Sequence, residues 1–416
     1  MRKPNFLRPA AVAALLLAFA AACFAAAPIK DLKPTVILIS LDGFRSDYLD
    51  RYDAPTIKRL AAEGVRARWM TPSLPTKTFP NHYTIVTGLY PAHHGIVENN
   101  IFDFGTVFSM GNRDEVSNGR WWLGEPIWIT AEKQGQIAAS FFWPGSEAKI
   151  NGMQPNYWKM YDGKIPNEER VDTVLGWLDL PRDKRPTMIT LYFSDTDDAG
   201  HSAGPESDEV ARAVKKVDGD LARLVAGLNE RGIGRKANII IVSDHGMAPV
   251  PAGNVVIMDD AVRPEWMERD PLTTGEIWQI FPKPEAMGSV MDALAKLEHT
   301  TCWRKADIPE RLHYKDGPRV APVVCSSEVG WAMTTRSRWE SQKRRDDFGK
   351  TRGAHGYDNR YEEMRATFIA HGRAFKGGKI VEAFPNIDVY NVMCRILKLR
   401  PAPNDGDLRR VRNILR

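Results

Sequence analysis

Three aspartates and three histidines are set apart by where they fall in the 416-residue chain. Asp42 comes just after an apolar run at residues 35–40 (TVILIS). Asp197 and His201 follow a run at 187–193 (TMITLYF), and Asp244-His245 follow one at 238–242 (NIIIV). His355 sits in a glycine-flanked segment, Arg352-Gly353-Ala354-His355-Gly356-Tyr357-Asp358, just before a run at 366–370 (ATFIA). Asp carboxylates and neutral imidazoles are the ligand set of zinc or a related divalent ion. Six such groups are too many for one tetrahedral zinc and suit two. A second cluster, residues 75–82 (PTKTFPNH), offers two hydroxyls between prolines, Thr76 and Thr78. A hydroxyl is a poor nucleophile at neutral pH unless a metal lowers its pKa or a base removes its proton. Composition does not choose between the two threonines, and both could simply shape a turn. Asp195 and Asp198 flank Asp197 and leave the local choice open in the same way. The other histidines (His82, His93, His94, His299, His313 and His371) read as surface or satisfied core residues.

Residues this far apart meet only if the fold aims them at one place. The four runs above and a fifth at 136–142 (QIAASFF) are nearly continuous apolar stretches without alternation. That pattern suits strands covered on both faces. Between them lie helical patterns. Residues 54–63 end at Gly64, a plausible C′ residue. Val210, Val214, Val217, Leu221, Leu224 and Leu228 recur every three or four residues, on one helix face, with Gly232 beyond. Strands alternating with helices imply an α/β fold: a doubly wound, mostly parallel central sheet with helices on both faces. In such a sheet the carboxyl ends of the strands line one crevice, where the aspartates and histidines can converge. Residues 249–352 are Pro- and charge-rich, hold two cysteines, and read as an inserted lobe.

The N-terminus carries Arg2, Lys3 and Arg8, then an apolar stretch at 10–27 with Leu15-Leu16-Leu17 at its centre. This reads as a cleaved secretory signal peptide over residues 1–27, leaving 28–416 as the catalytic domain. The protein is therefore expected to be periplasmic or secreted. Cys23 after Ala20-Ala21-Ala22 loosely resembles a lipoprotein acceptor but lacks the usual upstream Leu. Removing the three leader cations from the 57 basic residues leaves 54 against 52 acids, a net charge of +2. Bulk charge thus gives no support to a nucleic-acid polymer as partner. No later segment is apolar and long enough to span a bilayer, so no integral membrane association is expected. Export permits disulfides, but the sequence does not fix the pairing among Cys302, Cys325 and Cys394. With no C-x-x-C, cysteine-ligated zinc is not expected.

A chain of motifs adds a resemblance. Leu41-Asp42-Gly43-Phe44-Arg45, then residues 75–91 (PTKTFPNHYTIVTGLYP), 94–100 (HGIVENN), 195–205 (DTDDAGHSAGP), 243–247 (SDHGM) and 354–359 (AHGYDN) resemble the nucleotide pyrophosphatase/phosphodiesterase family. That family belongs to the alkaline phosphatase superfamily, and its bacterial members are the ones the chain resembles. The resemblance runs in order from residue 34 to 403. It implies one zinc on Asp42, Asp244, His245 and the nucleophile Thr78, and a second on Asp197, His201 and His355. The D-x-x-x-H spacing of the motif selects Asp197 over its neighbours. It further implies Asn99 as a donor to a phosphoryl oxygen, and Phe79 and Tyr161 as aromatic faces holding a nucleobase. One departure stands out: many relatives carry Glu-Pro-Asp where this chain has Asp195-Thr196-Asp197, which puts the rigidity of that turn in doubt.

The expectation is a two-zinc phosphodiesterase and nucleotide pyrophosphatase. It would release nucleoside 5′-monophosphates from small nucleotide substrates through a phosphothreonine intermediate, two metal ions serving the in-line displacement. The alternative is a phospholipase C-like or choline-phosphodiester hydrolase, because an aromatic pocket also suits a cation. A sulfatase would need a Cys or Ser in a C-x-P-x-R-like segment, and Thr78-Phe79-Pro80-Asn81 provides neither that nucleophile nor the Arg. A non-catalytic binding scaffold would not need Thr78 and all six metal-type ligands.

Overall fold

The computed structural model describes residues 27–273 and 275–416. Cys23 and all but the last residue of the expected leader lie outside the described residues. The fold is α/β, built on an eight-stranded sheet. Its strands in chain order are β1 (Val36–Leu41), β2 (Val65–Ala67), β3 (Ala138–Phe141), β4 (Tyr157–Trp158), β5 (Met188–Phe193), β6 (Asn238–Val242), β7 (Phe368–His371) and β8 (Lys379–Val381). In space they run β8-β2-β7-β6-β1-β5-β3-β4. All neighbours are parallel except around β7, which runs antiparallel to both β6 and β2. The sheet is therefore mixed, and mostly parallel. The apolar run at 366–370 marked a buried strand but carries no information about its direction.

The apolar runs do not alternate because both faces of the sheet are covered. Ile37, Ile39 and Leu41 of β1 share one apolar layer with Ile189, Leu191 and Phe193 of β5. That layer is capped by α1 (Pro55–Glu63), α3 (Asn167–Leu178) and α5 (Asp208–Glu230). Val36 and Leu38 point the other way, into a layer with α2 (Thr78–Thr87) and α6 (Asp388–Leu397). Between these helices in the chain, α4 (Asp195–Ala203) follows β5. The predicted stripe of α5 is fully used: all six of its Val and Leu residues are at most 1% exposed. Leu221→Ala should therefore lower unfolding free energy by about 2–5 kcal/mol, the usual cost of a buried leucine cavity. Denaturant titration measures it; a loss under about 1 kcal/mol would mean the stripe is not a packed seam.

Gly64 does end α1, though not as a left-handed cap: its φ is −116°. Its lack of a side chain serves packing, since a Cβ there would lie 2.2 Å from the Ala370 carbonyl oxygen of β7.

Residues 249–352 hold a second, antiparallel sheet of Leu272–Thr273, Ile277–Ile280, Val323–Ser327 and Thr300–Arg304. Trp278, Ile280, Val290, Val323 and Met333 form an apolar cluster on it. Ile277 and Val324 instead pack into the layer beneath α2 and α6. Cys302 and Cys325 face each other across paired strands and form a disulfide, while Cys394 is buried and free. Ala248–Val250 pairs antiparallel with Arg352–Ala354, so the chain leaves and returns through one ribbon that ends at His355.

Candidate metal centre and substrate pocket

The crevice is made where β6, β1 and β5 lie side by side in parallel. Leu41 is level with Phe193, and Ser40 with Val242. Asp42 is the first residue beyond β1. Asp244 and His245 come after Ser243 at the end of β6, and β5 passes through Ser194 into α4, which carries Asp197 and His201. His355 arrives from the ribbon strand Arg352–Ala354. The five side chains that follow strand ends thus meet, as the carboxyl-edge rule for open α/β sheets requires, and His355 joins them from the ribbon.

Their loops are tied together behind the cluster. The Gly43 N–H donates to Asp244 Oδ1 at 3.2 Å. Gly43 has φ +63°, and a Cβ there would sit 3.0 Å from Asp197 Oδ1, so this turn needs glycine on both counts. The Thr196 hydroxyl donates to the Asp42 carbonyl. The Asp195-Thr196-Asp197 turn is therefore bonded directly to the loop after β1 by the residue standing where many relatives have proline. Asp42 Oδ2 accepts the Tyr192 hydroxyl at 2.6 Å.

The histidines are oriented by backbone carbonyls, which only accept. His201 Nδ1 donates to Gly353 O (2.9 Å), His245 Nδ1 to Gly246 O (2.8 Å) and His355 Nδ1 to Thr76 O (2.8 Å). Each Nε2 is left as the inward lone pair, the arrangement of metal-ligating histidines. Two acceptor pairs then face each other. His245 Nε2 lies 2.9 Å from Asp244 Oδ2, and His201 Nε2 lies 3.0 Å from His355 Nε2. Atoms this close are held together by a shared proton or by a metal cation; against the effect of burial, Asp244 raises the His245 pKa. Asp42 Oδ1, Asp197 Oδ1 and Asp244 Oδ2 are buried and make no hydrogen bond. Burial, with Asp244 and Asp197 alongside, holds the Asp42 carboxyl well above the usual carboxylate range. Burial likewise raises Asp197 against the pull of His201 and His245. Burial pushes Asp244 up too, yet His245 and His82 hold it well below that range. His355 is kept neutral: burial and the nearby His245, Lys77 and His201 drive it well below its ordinary value. Uncompensated carboxylates, orphaned oxygens and inward lone pairs fit divalent cations.

Ligand atoms close enough to share an ion form two sets among the described residues, Asp42 with Asp244 and His245, and Asp197 with His245 and His355. His245 belongs to both. His201 stands at the rim of the second, its Nε2 3.5 Å from Asp197 Oδ2. The rings of His245 and His355 stack with centroids 3.5 Å apart, which is why both sets include His245, although its Nδ1 is bonded to Gly246 O and it has one inward nitrogen, Nε2, to offer.

The two threonines are separated by what they touch. Thr76 Oγ1 is buried, donates to Tyr357 O at 2.9 Å and accepts the Gly356 N–H at 2.9 Å. Thr78 opens α2, and its Oγ1 lies 3.4 Å from His245 Nε2. Beside Thr78 is a pocket of about 250 Å³, lined by Phe79, Arg113, Phe142, Glu147 and Tyr161 as well as Asp42 and Asp197. Phe79 packs on Phe108 and Trp122, while Tyr161, 39% exposed, stands edge-on to Phe142 and Tyr192. Asn99 Oδ1 accepts the Phe79 N–H at 3.0 Å, which turns its amide NH₂ end away from that bond.

Some contributors are not evident from the sequence. His82, one of the histidines expected to be bland, is fully buried behind the cluster, its Nδ1 2.9 Å from Thr78 O and 3.3 Å from Asp244 Oδ2, its Nε2 2.8 Å from Ser40 Oγ. Its spacing four residues after Thr78 on one helix was the available signal. Tyr192 is the penultimate residue of β5, a strand whose only mark in the sequence is its apolar character. Arg113 pairs with Glu147, whose Oε1 accepts the Tyr161 N–H at 2.8 Å, so this pair fixes Tyr161 in the pocket wall. Nothing in the sequence marks their pairing.

Residues 36–358 match the family described as Type I phosphodiesterase / nucleotide pyrophosphatase. The chain is 39% identical over 386 residues to ectonucleotide pyrophosphatase/phosphodiesterase family member 3 of Rattus norvegicus, covering 90% of this chain and 43% of that one. It is 40% identical over 383 residues to a venom phosphodiesterase of Macrovipera lebetinus, covering 89% and 44%. The chain thus spans less than half the length of these curated relatives. Among solved structures, an inactive threonine-to-alanine variant of murine ectonucleotide pyrophosphatase / phosphodiesterase 5, in complex with AMP, superposes with a TM-score of 0.85 at 32% identity, over 92% of this chain and 100% of that one. The human counterpart gives 0.85 at 31%, over 92% and 99%.

Proposed function

Because the chain belongs to the type I phosphodiesterase / nucleotide pyrophosphatase family, we propose that it is a two-zinc phosphodiesterase that hydrolyses nucleotide phosphodiester and pyrophosphate bonds to nucleoside 5′-monophosphates. The observation that carries this reading is the Thr78 hydroxyl set between the Asp/His cluster and an aromatic pocket. Asp42, Asp244 and His245 would hold one zinc together with Thr78; Asp197, His201 and His355 would hold the other. When bound, zinc lowers the pKa of a hydroxyl and neutralises charge on phosphoryl oxygens. Thr78 Oγ1 gives up its proton and attacks phosphorus as the bond to the leaving oxygen breaks, giving a phosphothreonine diester that still carries the nucleoside. Water then cleaves the threonine–phosphorus bond, releasing the nucleoside 5′-monophosphate and restoring Thr78. The Asn99 amide NH₂ donates to an equatorial phosphoryl oxygen as its charge grows. That an AMP-bound murine relative with a threonine changed to alanine is inactive agrees with the role given to Thr78.

Phe79 and Tyr161 hold the base. The AMP bound in the murine relative, whose fold superposes on this chain, favours a nucleotide over a choline phosphodiester. The leader of residues 1–27 and relatives that include venom enzymes support a secreted or periplasmic protein, and no described helix is long and apolar enough to cross a membrane. Residues 249–352 act as a lobe of the catalytic domain 28–416.

A substrate panel on zinc-loaded protein tests this reading: a nucleoside 5′-nitrophenyl diester, a nitrophenyl monoester, a phosphocholine diester and a sulfate ester. The nucleoside diester should be turned over fastest, and a preference for the choline diester would sink the proposal. Tyr161→Ala should weaken transition-state binding of nucleoside diesters by about 1–3 kcal/mol, the worth of one stacked base, and affect base-free nitrophenyl diesters less. Equal losses on both would assign the ring to packing.

A further inference from the structure

We infer that the edge of the sheet opposite the crevice is a docking surface for an anionic lipid bilayer. An open cleft of about 770 Å³ there is lined by Lys376, Arg395, Arg409, Arg412 and Arg416, with Leu408 and Leu415, and by no acid. A neighbouring hollow shares Arg416 and adds Arg235 and Arg373, opposed by Glu63. These seven cations are exposed. The chain after its leader carries only +2 in total, so positive charge is concentrated on this face and the rest of the molecule is on balance negative. Asp407 pairs with Arg409, and Arg416 Nε donates to Phe375 O at 2.6 Å. Lys376, Arg395 and Arg412 have no side-chain partner among the described residues. Such clustering, not net charge, draws a protein to an anionic surface.

The position of the face matters as much as its charge. His371 ends β7, which runs against the other strands, and Glu63 ends α1 just before β2 begins, so both mark the amino edge of the parallel strands. The Asp/His cluster lies beyond the carboxyl ends of β1, β5 and β6. A bilayer against the basic face would leave the crevice open to solvent on the far side. Ile380, 70% exposed on edge strand β8, follows Lys379, whose Nζ donates to Asn413 O in the cleft wall. It offers an apolar contact beside the cations. The breadth and openness of the face suit a surface of many headgroups better than one small anion.

Sedimentation of the full chain with vesicles of phosphatidylcholine, with and without about 30% phosphatidylglycerol, tests the inference. Binding to the anionic vesicles should exceed that to the neutral ones by about tenfold or more and fall steeply with added NaCl. The triple variant Lys376→Gln, Arg395→Gln, Arg412→Gln should lose about tenfold in binding while hydrolysing a soluble nitrophenyl diester at the parent rate. Equal binding to both vesicle types, or a triple variant that binds like the parent, would overturn the surface. So would capture of heparin without any binding to vesicles, which would make the partner a soluble polyanion.

Discussion

Thr78→Ala is expected to lose at least about a thousandfold in turnover, or roughly 4 kcal/mol of transition-state stabilisation. The six Asp and His ligands remain, so the variant should still bind metal and substrate. Thr76→Ala is expected to behave differently. The Thr76 hydroxyl bridges Tyr357 O and the Gly356 N–H, in the loop that carries His355. Its loss leaves two buried backbone groups without partners, at a cost of about 1–3 kcal/mol each in stability. That is more than a simple loop hydrogen bond would cost, yet no bond to phosphorus is involved, so turnover per folded molecule should fall far less. Thr78→Ser should retain partial activity, because the hydroxyl persists. Quenching turnover in acid and mapping peptides should place a nucleoside monophosphate on residue 78. A phosphopeptide modified at Thr76, or an active Thr78→Ala enzyme, would remove the mechanism.

The contrast between these threonines marks where sequence stops being informative. Two hydroxyls in one loop are equal in composition; what separates them is tertiary, the reach of Gly356 and Tyr357 from 280 residues away. The same holds for His82, whose role depends on Asp244 and Ser40 closing around it. The convergence of Asp42, Asp197, Asp244 and His245 was legible for the opposite reason. Continuous apolar runs mark strands covered on both faces, and those that lie parallel deliver the residues at their carboxyl ends to one edge of the sheet. The six-residue stripe of α5 was legible because one period fixes one face. Strand direction was not: the run that became β7 looks like its parallel neighbours, and its reversal is set by how the chain re-enters the sheet. The Cys302–Cys325 pairing was likewise open, because strand register, not loop length, brings the two together.

The second large effect is expected at His245. It is shared by both close sets of ligand atoms, with Asp42 and Asp244 on one side and Asp197 and His355 on the other. Its Nε2 stands 2.9 Å from Asp244 Oδ2 and 3.5 Å from Asp42 Oδ1, and its ring stacks on His355. With Nδ1 bonded to Gly246 O, its one inward nitrogen serves a single ion, so His245→Ala should weaken the site it shares with Asp42, Asp244 and Thr78. Zinc measured by elemental analysis after mild chelator treatment should fall from about two equivalents to about one. Turnover should fall with it. His201→Ala removes a ligand from the rim of one set, so about one equivalent should stay bound. The two ions should be lost independently: each variant should lose a single equivalent, and the double variant should lose the sum. Loss of both equivalents from His245→Ala alone would overturn the division into two sites. Full activity of the parent protein in excess chelator would rule out the metal centre itself.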